Sequence, residues 1–150
     1  MFIGYPRSGH SLIGSFLDAH PEIVLSHELD ALGFINQGVS RDEIFSLILQ
    51  NTELHSRLGK IWCKYCYPIP DQWQGKYQAL KVIGDKKAAV SAMRIGANKK
   101  LLSQLLNMFG QNTKIILVAR NPFDTITTIS SKRNAGLEQA GGFFSRFEIM

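Results

Sequence analysis

The amino-acid sequence predicts an α/β fold with a mostly parallel sheet. Short apolar runs that end in turn residues alternate with segments of helical periodicity along the 150 residues, and this alternation is typical of parallel strands joined by helices. The composition is that of a folded protein, because 45% of the residues are hydrophobic and 19% are charged. We therefore expect one domain over residues 1–150, with enough apolar material to form a core.

The first half of the chain contains two predicted strands and two predicted helices. The run MFIGY predicts a buried strand that ends in a turn, and residues 22–28 predict a second strand. A helix is expected over residues 11–20, and a longer one over residues 41–58 starts at a capping box of Ser40 and Glu43. One face of the first helix is apolar and carries Leu12, Ile13, Phe16 and Leu17.

The second half begins with an aromatic segment, residues 61–75, in which we expect loop or irregular strand. The run ALKVIG, residues 79–84, predicts a third strand. The run TKIILVAR, residues 113–120, predicts a fourth, because it is rich in β-branched residues and contains no breaker. The amphipathic stretch over residues 99–110 predicts a helix, and Pro122 marks the first turn of another.

The net charge of +5 is spread along the chain and includes no long basic run. Such a charge attracts small polyanions as well as nucleic acid, so we do not expect sequence-specific nucleic-acid binding. Because the apolar runs are short and the first residues lack the pattern of a signal peptide, we expect a cytoplasmic protein with no membrane span. The tail AGGFFSRFEIM keeps three Phe residues that require packing partners, which suggests a truncated domain or a homo-oligomer.

Cys63 and Cys66 form a C-x-x-C pair in WCKYCY. A structural zinc site needs four ligands, and the sequence holds no second pair. The aromatic flanks differ from the strand-to-helix turn of a thioredoxin-like redox motif. We therefore interpret both cysteines as reduced, semi-buried thiols and expect no metal site.

The most informative stretch is GYPRSGHS, residues 4–11, which has the Gly-x-x-x-x-Gly-x-Ser spacing of a phosphate loop. Between a strand and a helix, such a turn aims backbone N–H groups and the helix dipole at one point, where an anion binds. A nucleotide triphosphatase requires Lys before the final Ser, but this position is His10 and the cation of the loop is Arg7. Because a guanidinium holds an oxyanion without a metal, the loop predicts a site for a phosphate ester.

At these residues the sequence resembles the sulfotransferases that use the donor PAPS, 3′-phosphoadenosine 5′-phosphosulfate. Their first signature is a strand, a Pro-Lys/Arg-Ser-Gly-Thr-Thr/Ser loop and a helix, and YPRSGHSLIGSFLDAHPEI is similar to it. The resemblance implies a P-loop-like three-layer α/β/α fold, with Arg7 on the bridging and sulfuryl oxygens of the donor. It also implies that the donor's 5′-phosphosulfate is held by Ser8, Gly9, His10 (in place of the usual Thr) and Ser11.

The segment LVARNPFDTITTIS is similar to the second signature of the same family, a strand that ends in Arg-Asn-Pro-x-Asp and precedes a helix. By this resemblance Arg120 binds the donor's 3′-phosphate, and Thr128, in place of the usual Ser, adds a hydroxyl hydrogen bond. The two motifs occur in the order that the family has. The chain corresponds to the first part of a usual family domain.

Sulfuryl transfer to a hydroxyl or amine requires a base and cations on the developing charge. In many family members a Glu lies just beyond the second strand, and the resemblance assigns the base to Glu28, with His27 as the second choice. Lys86 matches the family lysine that reaches the sulfuryl group or the acceptor, and Lys87 is the weaker match. The product is then PAP, the desulfated donor, and the acceptor is a small molecule, a saccharide or a protein.

Two other functions stay open at this point. A degenerate family member would bind PAPS or PAP without catalysis, and His10 in the donor loop keeps this reading open. A P-loop kinase or NTPase would instead use Asp85, which follows the strand ALKVIG, together with Mg²⁺. Because the loop Lys is missing, the sulfotransferase is the leading hypothesis.

Overall fold

A computed structural model describes residues 1–62 and 64–145. Over these residues the chain is α/β, as the alternation of strands and helices predicted, with seven helices and six short strands. It divides into two compact units, Met1–His10 with Ala88–Met150, and Ser11–Lys87. No helix of the described residues is both long enough and apolar enough to cross a bilayer.

The first unit is built on two parallel strands, β1 (Phe2–Gly4) and β6 (Ile116–Val118). Phe2 lies opposite Ile116, and Gly4 lies opposite Val118. The helices of this unit are α4 (Ala88–Ala97), α5 (Lys100–Phe109), α6 (Pro122–Arg133) and α7 (Leu137–Ser145). The buried apolar side chains that these elements contribute are Phe2, Ala88, Ala92, Leu101, Leu105, Val118, Ile129 and Ala140.

Helix α5 ends, and helix α6 begins, where local chemistry predicts. Gly110 closes α5, and its N–H donates to Leu106 O at 2.8 Å. Pro122 opens α6, and the Asn121 side chain accepts the Phe123 N–H at 2.9 Å. Helices α4 and α7 were not predicted, because neither carries a strong cap or a long apolar stripe.

The second unit is built on the parallel strands β2 (Ile23–His27) and β5 (Val82–Lys86). Its helices are α1 (His10–Asp18), which begins at the unit boundary, α2 (Ala31–Asn36) and α3 (Arg41–Arg57). The aromatic segment forms a short antiparallel hairpin of β3 (Ile61–Trp62) and β4 (Tyr65–Cys66). The buried apolar side chains of this unit are Ala19, Val24, Leu25, Leu32, Ile35, Ile44 and Ile48.

Three details of this unit bear on the sequence predictions. The capping box of α3 is confirmed: Ser40 Oγ accepts the Glu43 N–H at 3.4 Å, and Glu43 Oε2 accepts the Ser40 N–H at 3.1 Å. These hydrogen bonds with Ser40 lower the pKa of Glu43. Cys66 is exposed, so the prediction of a semi-buried thiol is wrong for it. Cys63 lies outside the described residues.

Helix α1 buries its polar side. Gly14, Ser15 and Asp18 are buried, whereas the apolar face that the sequence shows is exposed at Leu12, Ile13 and Phe16. Glycine fits tightly at position 14, because a Cβ there would lie 3.3 Å from the side chains of Leu25 and Lys86, which would have to move slightly. Hydrogen bonding and close backbone approach therefore decide which face of this helix is buried.

Candidate active site

The phosphate-loop motif follows the carboxyl end of β1. Gly4 has a φ of 143°, and a Cβ at this position would lie 2.6 Å from the backbone oxygen of Val118 on β6. No other residue fits there without a shift of the strand, so Gly4 permits the close pairing that aims the following turn. The loop therefore leaves the sheet at the edge where ligands of parallel α/β folds usually bind.

Arg7 adopts a left-handed backbone conformation, with a φ of 65°. Such a conformation costs roughly 1–3 kcal/mol for a non-glycine residue and is concentrated at functional sites. Ser8 is buried, and its hydroxyl lies 3.2 Å from His10 Nδ1. Gly9 also has a positive φ, 95°. The loop is therefore held in a turn by its own polar side chains.

Arg120 joins the second motif to the first. Its Nη1 donates to the backbone oxygen of Arg7 at 3.3 Å, across 113 residues of sequence. Its Nε lies 3.8 Å from the Asp124 carboxylate on α6. The two arginines that the resemblance places on the donor thus meet through the loop backbone, inside the first unit.

Thr128 lies one turn beyond Asp124 on α6, so the two side chains share a face of that helix. Its hydroxyl donates to the backbone oxygen of Asp124 at 2.6 Å and is exposed. Arg120, Asp124 and Thr128 therefore follow one another at four-residue spacing.

In the second unit, the ends of β2 and β5 bring Glu28 and Lys86 together. Glu28 follows β2, and its N–H donates to Lys86 O at 3.0 Å. The Lys86 ammonium pairs with the Glu28 carboxylate and donates to Ser11 Oγ at 3.0 Å. The structure thus places three of the predicted site residues, from three separate segments of the sequence, in direct contact.

Lys86 is among the most buried side chains, with 1% of its surface exposed. Burial lowers its pKa, and the nearby Glu28 carboxylate opposes that shift. Its third contact is His27 Nε2, at 3.3 Å. The ammonium therefore has three polar neighbours, Glu28, Ser11 and His27, which fix the direction of the side chain.

Glu28 has a left-handed backbone, with a φ of 64°, and its side chain keeps 16% of its surface exposed. Its second carboxylate oxygen lies 3.3 Å from Lys87 Nζ. Lys87 Nζ also donates to the backbone oxygen of Glu28 at 3.2 Å. The carboxylate is thus oriented by two lysines and remains reachable from solvent.

His27, the second choice as base, is packed. Its ring stacks on His55 at 4.3 Å between centroids and meets the edge of Trp62 at 5.3 Å. Its Nε2 faces the Lys86 ammonium at 3.3 Å. His27 therefore packs between aromatic rings and the Lys86 ammonium, whereas the Glu28 side chain is partly exposed.

Asp85, which the kinase alternative needs as a Mg²⁺ ligand, is buried and accepts hydrogen bonds through both carboxylate oxygens. One carboxylate oxygen accepts the Ser26 hydroxyl at 2.7 Å and the Leu29 N–H at 3.2 Å, and the other accepts the Ala31 N–H at 2.8 Å. Burial raises the pKa of Asp85, and these hydrogen bonds oppose the shift. Within residues 1–62 and 64–145, no three or more His, Cys, Asp or Glu side chains are grouped as a metal site requires.

A buried polar cluster of the second unit was not predicted. Lys60 Nζ pairs with Asp18 Oδ2 at 2.6 Å, and the other oxygen of Asp18 accepts the Leu25 N–H at 2.9 Å. Burial raises the pKa of Asp18, and Lys60 opposes the rise. The Gln74 amide donates to Ser15 Oγ at 2.6 Å. These residues are scattered along the sequence, and no spacing in it indicates that they meet.

His55 completes this cluster and lines a small cavity beside Lys60 and Lys86. About 10 Å³ of this cavity admits the centre of a water molecule, roughly the space of one water. Both ring nitrogens of His55 are buried without a hydrogen-bond partner among the described residues. Burial, and then the charges of Lys60 and Lys86, lower its pKa to about 4. His55 is therefore a neutral imidazole at physiological pH.

No protein-family model matches the chain, and no curated protein matches it. The functional evidence therefore lies in two residue clusters, Arg7 with Arg120 in the first unit and Ser11, Glu28 and Lys86 in the second.

Proposed function

We propose that the protein is a sulfotransferase that moves a sulfuryl group from PAPS to a hydroxyl or amine acceptor. The observation that carries the proposal is the buried Lys86 ammonium, which contacts both the Ser11 hydroxyl of the phosphate-loop motif and the Glu28 carboxylate. A base and a cation in contact, next to a residue of an anion-binding loop, suit the transfer of a charged group. We further propose the P-loop-like three-layer arrangement that the motifs imply.

The donor is assigned to the motif residues of the loop and of α6. Arg7 would stabilise the oxygens of the sulfuryl group and of the bridge, and Arg120 would bind the 3′-phosphate with help from Thr128. The contact of Arg120 with the Arg7 backbone supports this assignment, because it orders the loop on the second motif. The backbone and side chains of Ser8, Gly9, His10 and Ser11 would supply the remaining donors.

The transfer step needs one base and no metal. Glu28 would accept the proton of the acceptor as the acceptor oxygen or nitrogen bonds to sulfur. The bond between sulfur and the bridging oxygen then breaks, and PAP leaves with the electron pair. Lys86 and Arg7 would stabilise negative charge on the transferred group and the leaving oxygen.

The kinase alternative is less well supported by the geometry. Both oxygens of Asp85 accept hydrogen bonds from Ser26 and from backbone N–H groups, so a metal would have to displace these partners. A non-catalytic binder of PAP remains the second candidate. The observation that favours it is the Ser8–His10 contact of 3.2 Å, which engages two loop side chains with each other.

The donor site is tested by calorimetric titration of the chain with PAP, with ATP–Mg²⁺ as the comparison ligand. We expect micromolar binding of PAP that Arg7→Ala and Arg120→Ala each weaken by at least about tenfold, since charge-assisted hydrogen bonds contribute about 1.5–3 kcal/mol. Arg57→Ala is the matched control, because Arg57 is an exposed arginine that pairs with Glu53 on α3. Failure of the folded wild-type chain to bind PAP would reject the donor assignment.

Transfer itself is tested by following sulfate from labelled PAPS to a panel of phenols, alcohols, amines and saccharides. Glu28→Gln should keep PAP affinity and lose turnover by about 100-fold or more, as expected for a general base. Glu22→Gln, which changes a partly buried glutamate paired with Lys81 and outside the candidate site, should leave turnover unchanged. PAP binding without transfer to any acceptor would favour the non-catalytic binder.

A further inference from the structure

The backbone that carries Glu28 has an unusual conformation. Glu28 and Asp30 both lie in the left-handed region, with φ values of 64° and 73°. Non-glycine residues rarely adopt this region, and two of them within three residues are not favoured by local propensity. The turn between β2 and α2 must therefore be held by contacts from outside it.

Lys86 and Lys87 bind the Glu28 backbone, and Asp85 supplies two further contacts from β5. Its carboxylate accepts the Leu29 N–H at 3.2 Å and the Ala31 N–H at 2.8 Å, the two backbone groups that follow Glu28 and Asp30. The same carboxylate accepts the Ser26 hydroxyl at 2.7 Å, from the last part of β2. Asp85 is only 4% exposed, so water competes little for these hydrogen bonds.

Asp85 and Lys86 are neighbours in one strand, and successive strand side chains point to opposite faces. Asp85 holds the backbone of the turn on one side, and Lys86 contacts the carboxylate of Glu28 on the other. One strand end thus restrains Glu28 through both its backbone and its side chain. The buried carboxylate of Asp85 therefore restrains the turn that carries Glu28, in addition to packing in the core.

We propose that Asp85 is a positioning residue, which sets the direction of the Glu28 carboxylate by fixing the left-handed turn of residues 28–30. Its effect on turnover rests on the proposed sulfotransferase function. Its effect on the turn is a property of the folded chain and can be measured without any substrate.

The informative variant is Asp85→Asn, which keeps the shape and replaces one acceptor oxygen with an NH₂ donor. This donor would face a backbone N–H of Leu29 or Ala31, so one of the two hydrogen bonds is lost. We expect a fall in kcat of at least about tenfold, because small displacements of a catalytic group are costly. The KM for PAPS and the affinity for PAP should stay within about twofold, since Asp85 belongs to neither donor motif.

The matched control is Ser26→Ala. It removes the Ser26 hydroxyl from the same carboxylate and leaves both backbone contacts of Asp85 in place. We expect the control to lose some stability and to keep kcat within about twofold of wild type. A role of Asp85 in stability alone would make the two variants alike in kcat once stability is matched.

Two NMR measurements test, independently of activity, whether Asp85 holds the turn of residues 28–30. In Asp85→Asn, the Leu29 and Ala31 amides should exchange with solvent at least about tenfold faster, because their acceptor is weakened. The Leu25 amide, which donates to Asp18 at 2.9 Å, is the internal reference and should not change. The carboxyl carbon resonance of Glu28 should shift in Asp85→Asn and not in Ser26→Ala.

The outcomes separate the two proposals. Unchanged Leu29 and Ala31 exchange with an unchanged Glu28 resonance would overturn the positioning role of Asp85, whatever the activity. Wild-type kcat in Asp85→Asn, with the turn released, would overturn it as well. If the wild-type chain transfers no sulfate, the proposed function fails, and the exchange rates and the Glu28 resonance still decide the role of Asp85.

Discussion

Four charged residues of the second unit are buried and each is no more than 5% exposed: Lys86, Lys60, Asp18 and Asp85. Lys86 pairs with Glu28, Lys60 pairs with Asp18, and Asp85 accepts three hydrogen bonds. Removing one partner of such a pair leaves an uncompensated charge and costs about 3–5 kcal/mol. Variants of these residues must therefore be compared at matched stability before any loss of activity is assigned to chemistry.

His55 leads to a prediction on pH. Its pKa is lowered to about 4 in the folded chain, whereas an unfolded histidine titrates near 6.5. Between these values the unfolded chain binds more protons, so the free energy of unfolding falls as the pH drops from about 6.5 to about 4. We expect His55 to account for a loss of about 1–2 kcal/mol in the free energy of unfolding, after allowing for partial screening by solvent.

The measurement is urea unfolding at several values across that pH range. His55→Phe keeps a ring against His27 and removes the titrating nitrogens, so the contribution of His55 to the acid loss should disappear. His20→Gln is the control, because His20 is an exposed histidine that does not line this cavity. If His55→Phe loses as much free energy of unfolding at acid pH as the wild type does, a group other than His55 is responsible.

At the scale of elements, the pairing of β1 with β6 depends on Gly4. Gly4→Ala would place a Cβ 2.6 Å from the Val118 carbonyl oxygen, closer than such contacts occur. Because this neighbour is backbone, the strand has to move, and we expect a loss of roughly 2–4 kcal/mol in the free energy of unfolding. The loop that follows should lose affinity for PAP in parallel.

Gly96→Ala, within α4 of the same unit, is the matched control. A Cβ there meets no atom within 4 Å, and the residue has ordinary helical geometry. We expect this change to stabilise the chain by about 0.5–1 kcal/mol, through the higher helix propensity of Ala. Chemical denaturation of both variants measures the difference, and equal stabilities would contradict the role given to Gly4.

Whole-molecule charge leads to the last prediction. The net charge of +5 attracts a small polyanion such as PAP, and salt screens this attraction. Raising NaCl from about 50 to about 500 mM should weaken PAP binding by about tenfold. Adenosine, which carries no phosphate, is the control ligand, and its affinity should not depend on salt. Binding of PAP that is insensitive to salt would argue against a site built on Arg7 and Arg120.

Much of the fold could be predicted because its signals are local. The capping box at Ser40, the helix stop at Gly110 and the helix start at Pro122 each depend on residues within one turn. Strand β5 begins three residues later than predicted and runs two residues further, through Asp85 and Lys86. It includes these charged residues because Asp85 is hydrogen-bonded and Lys86 is ion-paired inside the fold. Helix α2, which has only six residues, carries too little periodicity to be predicted.

The sequence by itself determined the α/β class and which residue types follow the strands, because strand runs, turn residues and caps act over a few neighbours. Only the tertiary structure decided that Ser11 and Glu28 meet at Lys86, that Asp18 pairs with Lys60, and that α1 buries its polar face. These contacts join segments that are far apart in sequence. Parallel strands bring their ends to one edge, and a buried charge is stable only where a distant partner is supplied there.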